Sequence, residues 1–274
     1  MITAFAEASS PHISLAAEEI FSVFGIPITN SMLLGFLGYA LTITVLIFTA
    51  RAIKNGSKNR FAMLIQWGYE ALLGTVEQVM GDKKMARRLA PLAITLFFFI
   101  LMNYYIGILP FVGPITWNGV PLFRGLAADL NVTFALAIIS MVTAQIYAIR
   151  VHGAFGNAKR YLRNPIKDPT GAFEGILEFI AEFSRLTALS LRLFGNVFAG
   201  EVLLIMVGFM TGYAAAIALP LFLLFELFMG AIQAYVFFML TVVFVSLGTM
   251  SHDNHSSDHS NEKASRKATP VGNS

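Results

Sequence analysis

Two apolar stretches, residues 171–212 and 214–250, follow one another with only Tyr213 between them. As helices they run about 60 Å and about 55 Å at 1.5 Å per residue, against a hydrocarbon core of about 30 Å. Neither stands upright in a bilayer at that length. Splitting each into two crossings needs polar breaks, and the candidates, Gly200, Gly208 and Pro220, have no polar loop around them. The stretches therefore predict a pair of long, strongly tilted helices forming a hairpin that turns near Gly212 and Tyr213.

Composition agrees with a chain dissolved in lipid. Hydrophobic residues are 56% and charged ones 13% of 274 positions. A mean hydropathy of +0.68 is too apolar for a soluble domain of this size. The expected fold is an all-α integral membrane protein with about five transmembrane helices and one interfacial amphipathic helix. An isoelectric point near 9.2 invites a nucleic-acid reading. That reading fails because the basic residues sit at the ends of apolar spans, not on a solvated face interleaved with aromatics. The absence of Cys excludes disulfides and thiolate metal sites. No phosphate-cradling glycine loop is present, so nucleotide chemistry is not expected of this chain.

Residues 1–30 carry no Lys or Arg, so the basic region that opens a secretory signal is missing. They are expected as an external segment. Glu18 and Glu19 followed by Ile20, Phe21, Val23 and Phe24 suggest a short helix lying at the membrane surface. The membrane domain is expected over 31–250. Its first span, 31–50, is closed by Arg51, Lys54, Lys58 and Arg60.

Over 61–82, Phe61, Leu64, Ile65, Tyr69, Leu72, Leu73 and Val76 recur at helical spacing opposite Gln66, Glu70, Glu77 and Gln78, the pattern of an interfacial helix. The second span, 89–111, contains Asn103-Tyr104-Tyr105. A loop with Pro114, Trp117 and Pro121 leads to the third span, 129–149. Asp129 at its start either caps that helix or takes part in ion movement. The last 24 residues, 251–274, are polar and expected to be disordered. Their histidines, His252, His255 and His259, read as solvated, with adventitious metal binding as the alternative.

Orientation follows from counting cations. Sixteen of the nineteen Lys and Arg lie in 51–88, 150–167 and the tail, and Arg124 alone lies in the opposite loops. The positive-inside rule then puts the N-terminus outside and the C-terminus in the cytoplasm.

Arg185 and Arg192 belong to no loop. A guanidinium at membrane depth costs several kcal/mol and cannot shed its proton. Arg192 has no acid at i±3 or i±4 and is too far from a helix end to snorkel. It is expected to be paired, beside water, or both.

If the hairpin turns at Gly212 and Tyr213, Glu201 and Glu226 each stand about a dozen residues from it and meet at one depth. Arg192 and Gln233, each about twenty residues away, meet at another. Glu178, Arg185 and Arg192 repeat every seven residues and share a face, with Glu182 and Asn196 a turn from the two arginines. Glu201, nine residues past Arg192, lies about 180° round. This is the layout of two offset water paths kept apart by a fixed positive charge. Ala188, Ala199 and Gly200, with Gly230, Ala231 and Ala234, permit close helix approach. Plainer readings remain open: Glu178, Glu182 and Arg185 as an ordinary helix-start ion-pair group, Glu201 with Glu226 as a carboxyl pair, Gln233 as a backbone partner.

Leu191-Arg192-Leu193-Phe194-Gly195-Asn196 with Ala199-Gly200-Glu201, and Gln233-Ala234-Tyr235, resemble subunit a of F-type ATP synthases. Pro91-Leu92-Ala93, Met102-Asn103, Leu109-Pro110 and Asp129-Leu130-Asn131-Val132-Thr133 extend the resemblance over roughly 30–250. It implies a stator beside a rotating c-ring in a bacterial plasma membrane. Subunit c, peripheral stalk subunit b and the lipid bilayer would be its partners, with no cofactor, no metal and no catalytic site of its own. It further implies that Arg192 faces the c-ring carboxylates and that Glu201 and Glu226 line the outer half-channel. Glu178 would stand in the inner one, and Asn196 and Gln233 beside the arginine. Glu182, Arg185, Asp129 and Asn103 are secondary candidates. The translocated ion is H⁺, with Na⁺ open. A secondary transporter would show inverted repeats, which are not visible here. A purely structural membrane scaffold is the other rival.

Overall fold

A computed structural model describes residues 14, 16–23, 26–56, 59–109, 112, 115–117, 120–161 and 169–250. The polar tail, with its three histidines, lies outside the described residues, as do Lys58, Arg163 and Lys167 of the basic loops.

The first described element is a small antiparallel hairpin, β1 (Glu19–Val23) and β2 (Ile26–Thr29), pairing Val23 with Ile26 and Glu19 with Thr29. The surface helix expected here is therefore replaced by strands. β-branched Ile20, Val23, Ile26 and Ile28 favour extended backbone, and Pro27 cannot donate within a helix.

Thr29 starts α1 (Asn30–Lys54) by accepting from the Met32 amide at 3.4 Å, and Arg51 and Lys54 suit the negative end of its dipole. Asn59 caps α2 (Arg60–Met80), whose Ile65, Leu72 and Val76 are buried while Trp67 and Leu64 are exposed. Gly81, at φ 69°, ends it. Asp82 then accepts from the Lys84 amide and opens α3 (Lys83–Gly107). This helix starts six residues before the expected 89. The cap sets the start, and Lys83, Lys84, Arg87 and Arg88 form the exposed opening turns of this helix.

A two-residue ladder, β3 (Thr116–Trp117) with β4 (Val120–Pro121), and a 3₁₀ turn at Leu126–Ala128 lead to α4 (Leu130–Tyr161), which breaks at Gly153 with φ 75° and ψ 160°. The long pair follows as α5 (Pro169–Thr211) and α6 (Ala215–Thr249), joined by a 3₁₀ turn at Gly212–Ala214 with Gly212 at φ 51°. The turn stands where the two lengths required it. Both helices run through Gly200, Gly208 and Pro220, so neither is split into two crossings.

Five helices, α1, α3, α4, α5 and α6, are long and apolar enough to cross a membrane; α2 is not among them. The molecule is an all-α, multi-pass membrane protein. α3 and the later half of α6 supply residues to both packed cores. One core packs Ile65, Val76, Leu89, Ile94, Phe98 and Phe238 between α2, α3 and α6; a second packs Ile100, Ala137, Leu189, Leu193 and Phe237 between α3, α4, α5 and α6. Lipid tails are as apolar as these side chains, so packing alone does not select partners, and buried hydroxyls add direction. Ser140 donates to Thr241 at 2.9 Å and Ser190 to Thr133 at 3.1 Å. The outward face of the α5–α6 pair stays uncovered, with Phe183, Leu191, Phe225 and Phe228 exposed.

Candidate functional site

α5 and α6 lie side by side, so residues equidistant from their turn come together. Gly200 on α5 lets the Glu226 side chain of α6 in: a Cβ there would stand 1.8 Å from Glu226 Oε1. Glu226 is 5% exposed, and the Tyr104 hydroxyl of α3 donates to it. Tyr104 in turn fits because α6 has Gly230 where a Cβ would meet its ring at 2.5 Å. Two glycines thus make the space that one carboxyl and one phenol fill.

Glu201 and Glu226, the acids expected at one depth, line the same cavity of about 550 Å³ with Asn103, Tyr104 and Val197. Its walls are mostly apolar, from Ile108, Leu126, Leu204, Leu219 and Leu223. Glu201 is half-buried and forms an ion pair with buried Arg124, Nε to Oε2 at 3.5 Å. The guanidinium also lies 5.9 Å over the Phe198 ring. Asn103 lines the same space, but its amide donates to the Phe99 carbonyl at 2.9 Å and packs against Gly38.

The pairing of Arg192 with Gln233 is one turn off. Gln233, 2% exposed, accepts from Asn196 Nδ2 at 2.6 Å, and Asn196 is one helical turn nearer the hairpin than Arg192. Arg192 itself is exposed on α5 beside Leu191 and Ala188, with no hydrogen bond or ion pair among the described residues. Its neighbour Leu193 is fully buried, so the helix is firmly seated where it presents this charge outward.

Nearer the start of α5 a second polar group forms. Gln145 of α4 donates to both Glu182 oxygens at 2.7 Å, and the Arg185 guanidinium stands 5.8 Å from the Phe244 ring of α6. Gln145, Glu182 and Arg185 line a small cavity there, and Glu178 lies a turn further toward the helix start, half-buried. Asp129 belongs to neither group. It accepts from Ser31 Oγ at 3.0 Å and from the Asn131 amide at 2.9 Å, tying the start of α4 to α1. The capping reading of Asp129 is the one its bonds satisfy.

The sequence reading assigns no site role to Tyr104, Arg124 or Gln145. Each carried a signal: Arg124 as the sole cation of the outer loops, Gln145 as an amide inside an apolar span, Tyr104 as a hydroxyl next to Asn103.

Fold and site together define a multi-pass helical membrane protein that gathers two carboxyls around one cavity and shows a guanidinium on the exposed face of its last hairpin. A family model described as ATP synthase A chain matches residues 32–246. Relatives named ATP synthase subunit a include one from Priestia megaterium, 34% identical over 210 residues, covering 74% of this chain and 84% of that one. Another, from Oceanobacillus iheyensis, is 30% identical over 254 residues, with 88% and 97% covered. A third, from Coxiella burnetii, is 31% identical over 218 residues, with 78% and 81% covered. The chain belongs to the ATP synthase subunit a family.

Proposed function

We propose that this chain is the membrane stator of a rotary ATP synthase, carrying protons to and from the carboxylates of a turning c-ring through two offset aqueous half-channels separated by Arg192. The observation that carries the reading is the exposure of Arg192 on the open α5–α6 face while Glu201 and Glu226 line a cavity together. A permanent cation is tolerated at membrane depth when a partner surface supplies a counter-charge. A ring carboxylate passing that face supplies it.

The chemistry follows from charge. A fixed guanidinium favours the ionised form of a carboxyl beside it, so a ring carboxyl gives up its proton on reaching Arg192 and regains one beyond it. Protons enter by the cavity of Glu201 and Glu226 and leave by the group of Gln145, Glu178, Glu182 and Arg185, or the reverse. Asn196 and Gln233 steady the face on which Arg192 stands. Each elementary charge crossing releases about 2.3 kcal/mol per 100 mV, available as torque only if no proton bypasses the ring.

At 43 and 35 residues, α5 and α6 exceed an upright crossing, so they lie oblique in the bilayer and offer the ring a broad face. The cation count puts the N-terminus outside and the C-terminus in the cytoplasm. A peripheral stalk holds the chain against the ring's drag.

Co-purification of a ring of small hairpin proteins tests the partnership; its absence from an intact, active complex would remove the reading. Glu201→Gln is expected to slow passive proton flux through the membrane sector by about tenfold or more without preventing assembly, as loss of a proton-transfer group does. Vesicle flux equal to wild type would take Glu201 off the path.

A further inference from the structure

We propose that residues 14–30 build the outer mouth of the path to Glu201, and that Glu18 is a proton-collecting carboxylate in its wall. This rests on the reading of Glu201 as part of the outer half-channel.

The family match begins at residue 32, so the segment lies beyond what the family model describes. It is nevertheless fastened to the site. Arg124 donates from one guanidinium nitrogen to the Ala16 carbonyl at 2.6 Å and from another to the Ser14 carbonyl at 2.9 Å. The Asn30 amide N–H donates to the Glu18 carbonyl at 3.0 Å, and the Glu18 N–H donates to Asn30 Oδ1 at 3.2 Å. Asn30 also donates through Nδ2 to the Pro121 carbonyl at 3.3 Å. Both anchors are buried, Asn30 at 3% and Arg124 at 5% exposure. The two charge-assisted bonds to Ser14 and Ala16 are stronger than neutral ones, and the Asn30 bonds to Glu18 close the base of the β1–β2 hairpin.

The clasp encloses chemistry as well as backbone. Ser14, Glu18, Asn30, Arg124, Phe198 and Glu201 line a small cavity of about 40 Å³. That volume exceeds the minimum for one water, and the lining supplies donors and acceptors enough to hold it. Glu201, with Pro121 and Ile205, also walls the 550 Å³ cavity that holds Glu226. Glu201 therefore stands between two spaces, with Glu18 across one and Glu226 across the other. Among the described residues, the charged groups that line this cavity with Glu18 are Arg124 and Glu201; Glu19, next in the chain, is exposed. Glu18 and Glu201 both border this cavity, and a carboxylate at a narrow mouth raises the local proton concentration.

The test uses the whole synthase in vesicles, with passive proton flux measured over a pH series for Glu18→Gln, Glu18→Asp and Glu201→Gln. Glu18→Gln is expected to lower flux by about tenfold where protons are scarce, at the low end of electrostatic capture effects, and to converge on wild type in acid. Glu18→Asp should keep most of it. Wild-type flux for Glu18→Gln across the series overturns the inference. If Glu201→Gln slows flux and Glu18→Gln does not, only this inference falls; if Glu201→Gln has no effect, the path through Glu201 falls and takes this with it. Because the chain has no cysteine, Glu18→Cys adds an independent reading. A cationic methanethiosulfonate applied from outside should modify that thiol and depress flux. Failure to react, or reaction without a change in flux, contradicts the mouth.

Discussion

Arg192→Ala is expected to abolish ATP-driven proton pumping in vesicles while the complex still assembles. The side chain is exposed and makes no hydrogen bond or ion pair among the described residues, so its removal strips no packing from the hairpin. Leu189 and Leu193, buried on either side of it, keep α5 in place. The loss is therefore in function: without the fixed charge a ring carboxyl passes the face without releasing its proton, or exchanges directly between the two paths. Dissipation of the roughly 2.3 kcal/mol per charge per 100 mV then appears as leak instead of torque. Arg192→Lys should restore little, because a point charge on a flexible stem does not hold a planar, bidentate carboxylate contact. A structural scaffold would lose nothing in either variant.

Gly200→Val is expected to reduce proton flux about as severely, by about a hundredfold, the scale on which a misplacement near 1 Å acts on a transfer step. An added Cβ at Gly200 would meet Glu226 Oε1 at 1.8 Å and its carboxyl carbon at 2.3 Å. Glu226 must move its carboxyl away from Gly200, which disturbs its bond from Tyr104, whose ring packs closely against Gly230. Overpacking costs about 1–3 kcal/mol, which a helix pair of this size survives. Gly208→Ala on the same helix meets only Leu219 at 3.9 Å and should leave flux and assembly unchanged, so the pair separates displacement of Glu226 from general disturbance of α5. Flux at wild-type level in Gly200→Val would remove Glu226 from the path.

What the sequence disclosed and what it withheld divide along the range of the interactions concerned. The spans, the turn at Gly212 and the meeting of Glu201 with Glu226 follow from residue counts along two continuous helices, and such counts survive folding unchanged. Gln233 met Asn196 and not Arg192 because equal distance from a turn fixes depth only to within one helical turn. The N-terminal segment forms strands where a helix is expected because Ile20, Phe21, Val23 and Phe24 fit a short helix face and a strand about equally, and the deciding partner, Ile26–Thr29, follows Gly25. Arg124 was counted as a topological marker. Its contacts with Ser14, Ala16 and Glu201 span many tens of residues and depend on how the loop before α4 folds back over the hairpin. Tyr104 was hidden for a similar reason: its place depends on Gly230, a residue whose meaning appears only when α3 and α6 pack.

The central claim is that the face of α5 carrying Arg192 lies against the ion-binding helix of a ring subunit. Single cysteines introduced as Ala188→Cys and Leu191→Cys, both exposed beside Arg192, should form disulfides with a cysteine placed near the ring carboxylate, while Leu189→Cys, at a position 1% exposed, should not. Cross-linking at the two exposed positions, suppressed at the buried one, is the predicted result. No cross-link from the exposed pair in an assembled, proton-pumping complex would contradict it.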